Sequence, residues 1–116
     1  MVNVTATAQT LSKDYTELGS YIGLATDDPG STSTPMNEAS GGTPAYARQH
    51  TTWTAGSGGV YNGSVVTINV AGGQTYKYMI LCSGATGNNM IDNCPISPQV
   101  MNGDGQLTLS PVYTQS

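Results

Sequence analysis

The chain's 116 residues suffice for one modest core and not for two independently stable domains. Fifteen Gly, six Pro and 9% charged residues describe short elements joined by tight turns and argue against long amphipathic helices. Three Lys or Arg against seven Asp or Glu, a formal net charge of -4, leave no basic stripe for direct nucleic-acid binding, and no run of about 18 residues is free of polar interruption, as a membrane-spanning helix would require.

Residues 1–116 are therefore read as a single all-β domain. Seven Tyr and one Trp, with no Phe, favour sheet faces and contact surfaces, where a ring packs while its polar atom reaches a partner. The uncharged Thr, Ser and Gly-rich surface offers little repulsion between copies, so partial coverage by a second copy or a partner is expected. The first residues carry neither a basic stretch nor an apolar run of the secretory kind, which implies synthesis in the cytoplasm and, for any outward position, arrival as part of an assembly.

In chain order, Val2, Val4, Ala6 and Ala8 alternate with Asn3, Thr5, Thr7 and Gln9. This is a half-buried first strand or an extended, exchangeable arm over residues 1–9. Residues 11–18 suit at most one short helix, with Ser12 as cap, Asp14 or Tyr15 in the first turn and Gly19 as terminator. Residues 21–25 read as a central strand that empties into the polar connection 26–38. There, Asp27, Asp28 and Glu38 have oxygen ligands for a divalent cation, but not at the spacing of a helix-loop-helix calcium site. An Asx-Pro-Gly turn explains the same residues without a metal.

Residues 44–54 are expected to form the next strand, with Tyr46, Arg48, His50 and Thr52 on one face. Ala45, Ala47, Gln49, Thr51 and Trp53 lie on the other, which reads as the core side. Arg48 would then cover Tyr46 with its stem and pair its planar head with a carboxylate or carbonyl across an interface, or form a solvent-facing salt bridge. After the flexible turn 55–59, residues 60–70 alternate as one strand with Val66, Ile68 and Val70 inward. Residues 75–83 are the most continuous apolar strand and the expected centre of the core. Residues 90–96 return, interrupted by Pro95; the turn 102–105 and a short strand over 106–110 follow, with Val112 and Tyr113 beyond. Six to eight strands with Gly-rich turns make a small antiparallel β-sandwich or a jelly-roll-like barrel.

Cys82 and Cys94 bracket a Gly and Asn-rich loop. A hairpin whose strands face each other would allow a disulfide where the finished object meets an oxidising environment, so the pair is open to either state. Two thiols with the single His50 fall short of a zinc site. His50 has no evident catalytic partner and the carboxylates lie mainly in turns, so no enzyme activity, metal or cofactor is expected. Exposed Tyr and Asn-rich loops would suit a carbohydrate- or receptor-binding module better.

The run Thr43-Pro44-Ala45-Tyr46-Ala47-Arg48-Gln49-His50, after Ser40-Gly41-Gly42, resembles the GG-x-Y-A-R-Q strand of small tailed-phage virion proteins. The stretches 21–30, 62–70, 76–89 and 102–109 are similar to further motifs of that family, which covers most of the chain. The chain departs from it at Trp53, where Phe is common, in its Tyr76-Lys77-Tyr78-Met79 strand and in having the cysteine pair. The resemblance implies a virion structural protein on the capsid surface or tail. Its first form is a capsid decoration (cement) protein binding the major capsid protein lattice as a closed homo-oligomer, for instance a trimer. The alternative is a tail or tail-fibre-associated protein with a carbohydrate or receptor-binding role. Expected contact residues, toward the capsid protein, another virion protein or another copy, are Val2, Val4, Tyr15, Tyr46, Arg48 and Trp53.

Overall fold

The computed structural model describes residues 19–55 and 60–114, and among them every regular element is a strand. The nine are β1 (Tyr21–Ala25), β2 (Gln49–His50), β3 (Trp53–Ala55), β4 (Val60–Gly63), β5 (Val66–Val70), β6 (Gln74–Cys82), β7 (Met90–Met101), β8 (Gly105–Leu109) and β9 (Val112–Thr114). They form three antiparallel sheets in the orders β2-β1-β6-β7, β3-β4-β9 and β5-β8. The result is the sandwich rather than the closed barrel. The expected helix over 11–18 and the arm over 1–9 lie outside the described residues.

Period-two alternation explains the main core. In β5, Val66, Ile68 and Val70 are buried while Thr67 and Asn69 turn outward. They pack with Ile22 and Leu24 of β1, Tyr76 and Leu81 of β6 and Ala39; Trp53, Met79, Ile96, Leu107 and Leu109 lie at the margin. Each fully buried aliphatic side chain contributes about 2 kcal/mol, whereas the outward Thr67–Thr108 hydroxyl pair at 3.4 Å contributes less than about 1 kcal/mol. The inner faces therefore fix the stacking. Tyr76 is admitted to this layer because its hydroxyl donates to the Ala71 carbonyl at 2.8 Å.

Three strand expectations are corrected. Residues 60–70 split between two sheets, because Ser64 is captured by the segment before β3: its amide donates to the Thr52 carbonyl (2.9 Å), its carbonyl accepts the Thr51 hydroxyl (2.8 Å) and its Oγ accepts the Thr52 amide (2.9 Å). The turn needs Gly63, where a Cβ would lie 2.6 Å from Thr51 Oγ1 and 2.7 Å from Pro111 Cγ. Residues 44–54 form no continuous strand; only β2 and β3 are paired.

The return strand, by contrast, is not interrupted at Pro95, since β7 runs unbroken over twelve residues. It lies at the edge of its sheet, where a residue lacking N–H is tolerated. A register shift between Tyr76 and Tyr78 absorbs the extra residues around Pro98.

Candidate functional site

The β2-β1-β6-β7 sheet has two covered faces. Ile22, Leu24 and Leu81 point into the main core, while the alternate residues Ala25, Ile80 and Cys82 join Met90 in a second apolar cluster on the opposite side, flanked by Tyr21 and Tyr78. Loops supply the cover on that second face.

The first is the 26–38 connection. Asp28 Oδ1 accepts the Gly30 amide at 2.8 Å and Asp27 Oδ1 accepts the Asp28 amide at 2.9 Å, the Asx-type turn anticipated at Asp-Pro-Gly. Asn37, at a φ of 59°, donates its side-chain amide to the Asp28 carbonyl at 2.9 Å and closes the loop. The loop then reaches across to β7, where the Met90 amide donates to Ser33 O and Asn93 Nδ2 to Gly30 O, both at 3.0 Å. Ala25 bridges Glu38 where it returns. The Asp27 and Asp28 oxygens thus serve main-chain amides, and no three metal-ligating side chains gather among the described residues.

At the centre sits Arg48, whose five N–H donors are all used. Nε and Nη2 grip the two oxygens of Glu38 at 2.8 and 2.9 Å; Nη1 donates to Asn89 Oδ1 at 2.9 Å and Gly84 O at 3.1 Å, and Nη2 also to Gly87 O at 2.9 Å. Tyr46 adds a second link, donating to Glu38 Oε2 at 2.7 Å while accepting the Leu24 amide at 3.2 Å. Burial, followed by the hydrogen bond to Glu38, pushes the Tyr46 phenol far above its ordinary value. One guanidinium therefore ties together the 37–39 stretch, the 46–48 stretch and the loop before β7. With no N–H left over, it acts as a clasp and has nothing to offer an incoming anion.

This geometry reverses the expected faces of the 44–54 segment. Ala45 and Ala47 are exposed, and Arg48 is buried. Thr51 and Trp53 do turn inward, because the alternation is broken between Arg48 and Thr51. Tyr46 is half-buried in the same clasp, and Trp53 is half-buried against the core with its Nε1 donating to Gly19 O at 3.0 Å. Val2, Val4 and Tyr15 lie outside the described residues.

Sequence reasoning missed Glu38 and Asn89 as partners of Arg48, which are 10 and 41 positions away. One local signal existed: a Gly inside a strand marks a close approach. A Cβ on Gly23 would lie 2.4 Å from the Tyr46 hydroxyl and 3.2 Å from Arg48 Cγ. His50 makes an edge-on contact with Tyr21, its partner in the β1–β2 register, with centroids 5.3 Å apart.

The cysteine pair, open to either state in the sequence, is held apart by the strand register. Cys82 is buried and Cys94 exposed, both as free thiols. Cys94 faces Met79 and Cys82 faces Met90. The two are thus three positions apart along β6, roughly 10 Å at about 3.3 Å per residue, beyond the reach of a bridge.

Two recesses stand out among the described residues. A polar cleft of about 330 Å3 is bordered by Glu38, Tyr46, Ala47, Thr86, Gly87 and Asn88. A smaller, mainly apolar groove of about 90 Å3 is walled by Trp53, Met79, Leu81, Cys94, Pro111 and Val112 together with Asp92 and Asn93.

Over residues 3–110 the chain matches the family model described as Podophage GP4 fiber I protein gp80. No curated protein and no solved structure matches it.

Proposed function

The chain belongs to the Podophage GP4 fiber I protein family, and we propose that it works on the tail side of the particle, as a fiber-associated module that acts by adhesion. As a family member it is a virion structural protein and not an enzyme. The fiber designation favours the tail alternative over a capsid decoration protein on the major capsid lattice. The observation that carries the proposal is the extent of the match, nearly the whole chain. The clasp is consistent with a passive role, because every buried polar side-chain atom among the described residues has a partner and none is held in reserve for chemistry. Its partners on this reading are other virion proteins and further copies of itself.

Purified protein incubated with genome-free capsids and, in parallel, with isolated tails tests this directly. Saturable retention on tails without cosedimentation with shells is the expected result. Binding to shells at a simple ratio to the capsid subunit would overturn the tail assignment.

A receptor-binding role is favoured by one specific feature, the polar cleft beside Glu38 and Tyr46. Its rim of Thr86 and Asn88 presents neutral hydrogen-bonding groups next to a ring, the combination that suits a saccharide. Titration of host surface polysaccharide into the protein should give binding that Asn88→Ala and Thr86→Ala weaken several-fold. Unchanged affinity in both variants would remove the cleft from consideration.

A further inference from the structure

Asn is followed by Gly twice in the chain, at 62–63 and at 102–103. In such a pair the main-chain nitrogen of the second residue can attack the Asn side-chain amide carbon. Gly, with no Cβ, neither shields that nitrogen nor restricts the backbone rotation that the attack needs. The fold leaves one of the two pairs open to this reaction and closes the other.

Asn62 lies in β4, the middle strand of its sheet, paired with Thr54 on one side and Val112 on the other. The Gly63 nitrogen is engaged, donating to the Pro111 carbonyl at 2.7 Å, and the residue is pressed between Thr51 Oγ1 and Pro111. Ring closure there requires the strand to open first. Asn102 and Gly103 are instead exposed, in the connection between β7 and β8. Among the described residues no main-chain carbonyl accepts the Gly103 amide, and a Cβ at Gly103 would meet nothing within 4 Å. Asp104 anchors this connection, Oδ1 accepting the Gly72 amide and Oδ2 the Thr43 amide, each at 2.9 Å.

We propose that Asn102 is a site of spontaneous deamidation, and that its conversion loosens the links from Asp104 to Gly72 and Thr43. The Gly103 nitrogen gives up its proton and bonds to Asn102 Cγ; the Cγ–Nδ2 bond breaks and ammonia leaves, which closes a five-membered succinimide. Water then adds to one of the two ring carbonyls. Opening at one yields aspartate; opening at the other yields isoaspartate, in which the main chain runs through the former side chain and is one atom longer. Water is the co-reactant, and the rate follows hydroxide because the attacking nitrogen must lose its proton. Each conversion places a new carboxylate two residues from Asp104 on a chain whose net charge is already -4, and the longer main chain shifts Asp104 against the two amides that it holds. The inference is independent of the place of the protein in the particle.

The full chain, incubated at mildly alkaline pH and then digested in acid, tests this by mass spectrometry of the peptides holding positions 62 and 102, with electron-transfer fragmentation to separate isoaspartate from aspartate. Position 102 should gain the mass of an amide-to-acid conversion at least about tenfold faster than position 62, where β4 has to open first. In urea the two positions should convert at similar rates. Equal rates in the folded protein, or faster conversion at 62, would overturn the assignment. Gly103→Ala, for which there is room, puts a methyl group beside the attacking nitrogen and should slow conversion at 102 several-fold; an unchanged rate would show that the reaction does not pass through the ring. Hydrogen exchange on the isoaspartyl form should be several-fold faster at the Gly72 and Thr43 amides, and protection equal to that of the unconverted protein would overturn the loosening.

Discussion

Arg48 and Glu38 form a two-point ion pair, 2.8 Å from Nε to Oε2 and 2.9 Å from Nη2 to Oε1, laid over the bare backbone of Gly23. In a chain with three basic residues, one of them is spent inside the fold to hold loops against a sheet. Desolvating the pair is costly, and the remaining three hydrogen bonds to Gly84, Gly87 and Asn89 are what make the arrangement favourable.

Arg48→Ala should strongly destabilise the domain. Breaking a buried pair leaves an uncompensated charge and costs about 3–5 kcal/mol. The Glu38 side chain keeps 21% of its exposure, so a loss near the lower limit, about 3 kcal/mol, is expected. Urea denaturation reads it as a lower midpoint at similar slope. Glu38→Gln, which keeps an acceptor, should cost less; equal stability of wild type and Arg48→Ala would show that the clasp holds nothing.

Gly23→Ala tests the close approach. The new methyl would meet the Tyr46 hydroxyl at 2.4 Å and Ile80 Cγ1 at 3.0 Å, and the hydroxyl is pinned on two sides by Leu24 and Glu38. Overpacking of this kind costs about 1–3 kcal/mol. Hydrogen exchange should report faster opening at the Leu24 amide. Protection equal to that of the wild type would mean that the ring moves aside freely.

Alkaline pH should weaken the fold. Burial pushes the Cys82 thiol up to about 11 from 9.0, although the Arg48 charge pulls the other way. Tyr46 is displaced upward as well, mainly by burial. The folded state holds these protons more tightly than the unfolded chain, so the Cys82 contribution is complete below about pH 9 and is lost as pH rises through about 11, while that of Tyr46 begins to be lost only at higher pH. The melting temperature should hold to about pH 8.5 and then fall, with a shallower fall for Cys82→Ala, which removes the Cys82 part and leaves those of Tyr46, Tyr76 and Cys94, each displaced upward chiefly by burial. A melting temperature that rises over this interval contradicts the assignment.

At the far end of β6 from Cys82, Asp104 joins two turns, its Oδ1 accepting the Gly72 amide and its Oδ2 the Thr43 amide, each at 2.9 Å. Asp104→Asn leaves one acceptor oxygen and a donor that faces an amide. Loss of one exposed, charge-assisted bond should cost about 1 kcal/mol. Calorimetry should show a melting temperature lower by several degrees. A shift within error would show that water replaces the carboxylate at no cost.

Much of the strand content was legible along the chain. Tyr21–Ala25 and the alternation of Val66, Ile68 and Val70 were readable because a period of two needs only neighbouring residues. The Asp-Pro-Gly turn was readable for the same reason, since Asp28 bonds an amide two positions on. The break at Ser64 was not, because it depends on Thr51 and Thr52, a dozen residues earlier. The continuity of β7 through Pro95 was hidden too: a proline is acceptable only at an edge, and sequence does not say which strand is outermost.

The sequence by itself determined an all-β chain of short strands, poor in charge and without the inventory of an enzyme, because composition and local periodicity set the backbone states that are affordable. Only the tertiary structure decided that Arg48 turns inward onto Glu38, that Tyr46 follows it, that Cys82 and Cys94 lie too far apart to join, and that a groove opens beside Trp53. Those outcomes depend on strand register and sheet order, where a one-residue slip sends a side chain to the other face. Their energies come from groups distant in sequence that meet only once the sheets have stacked.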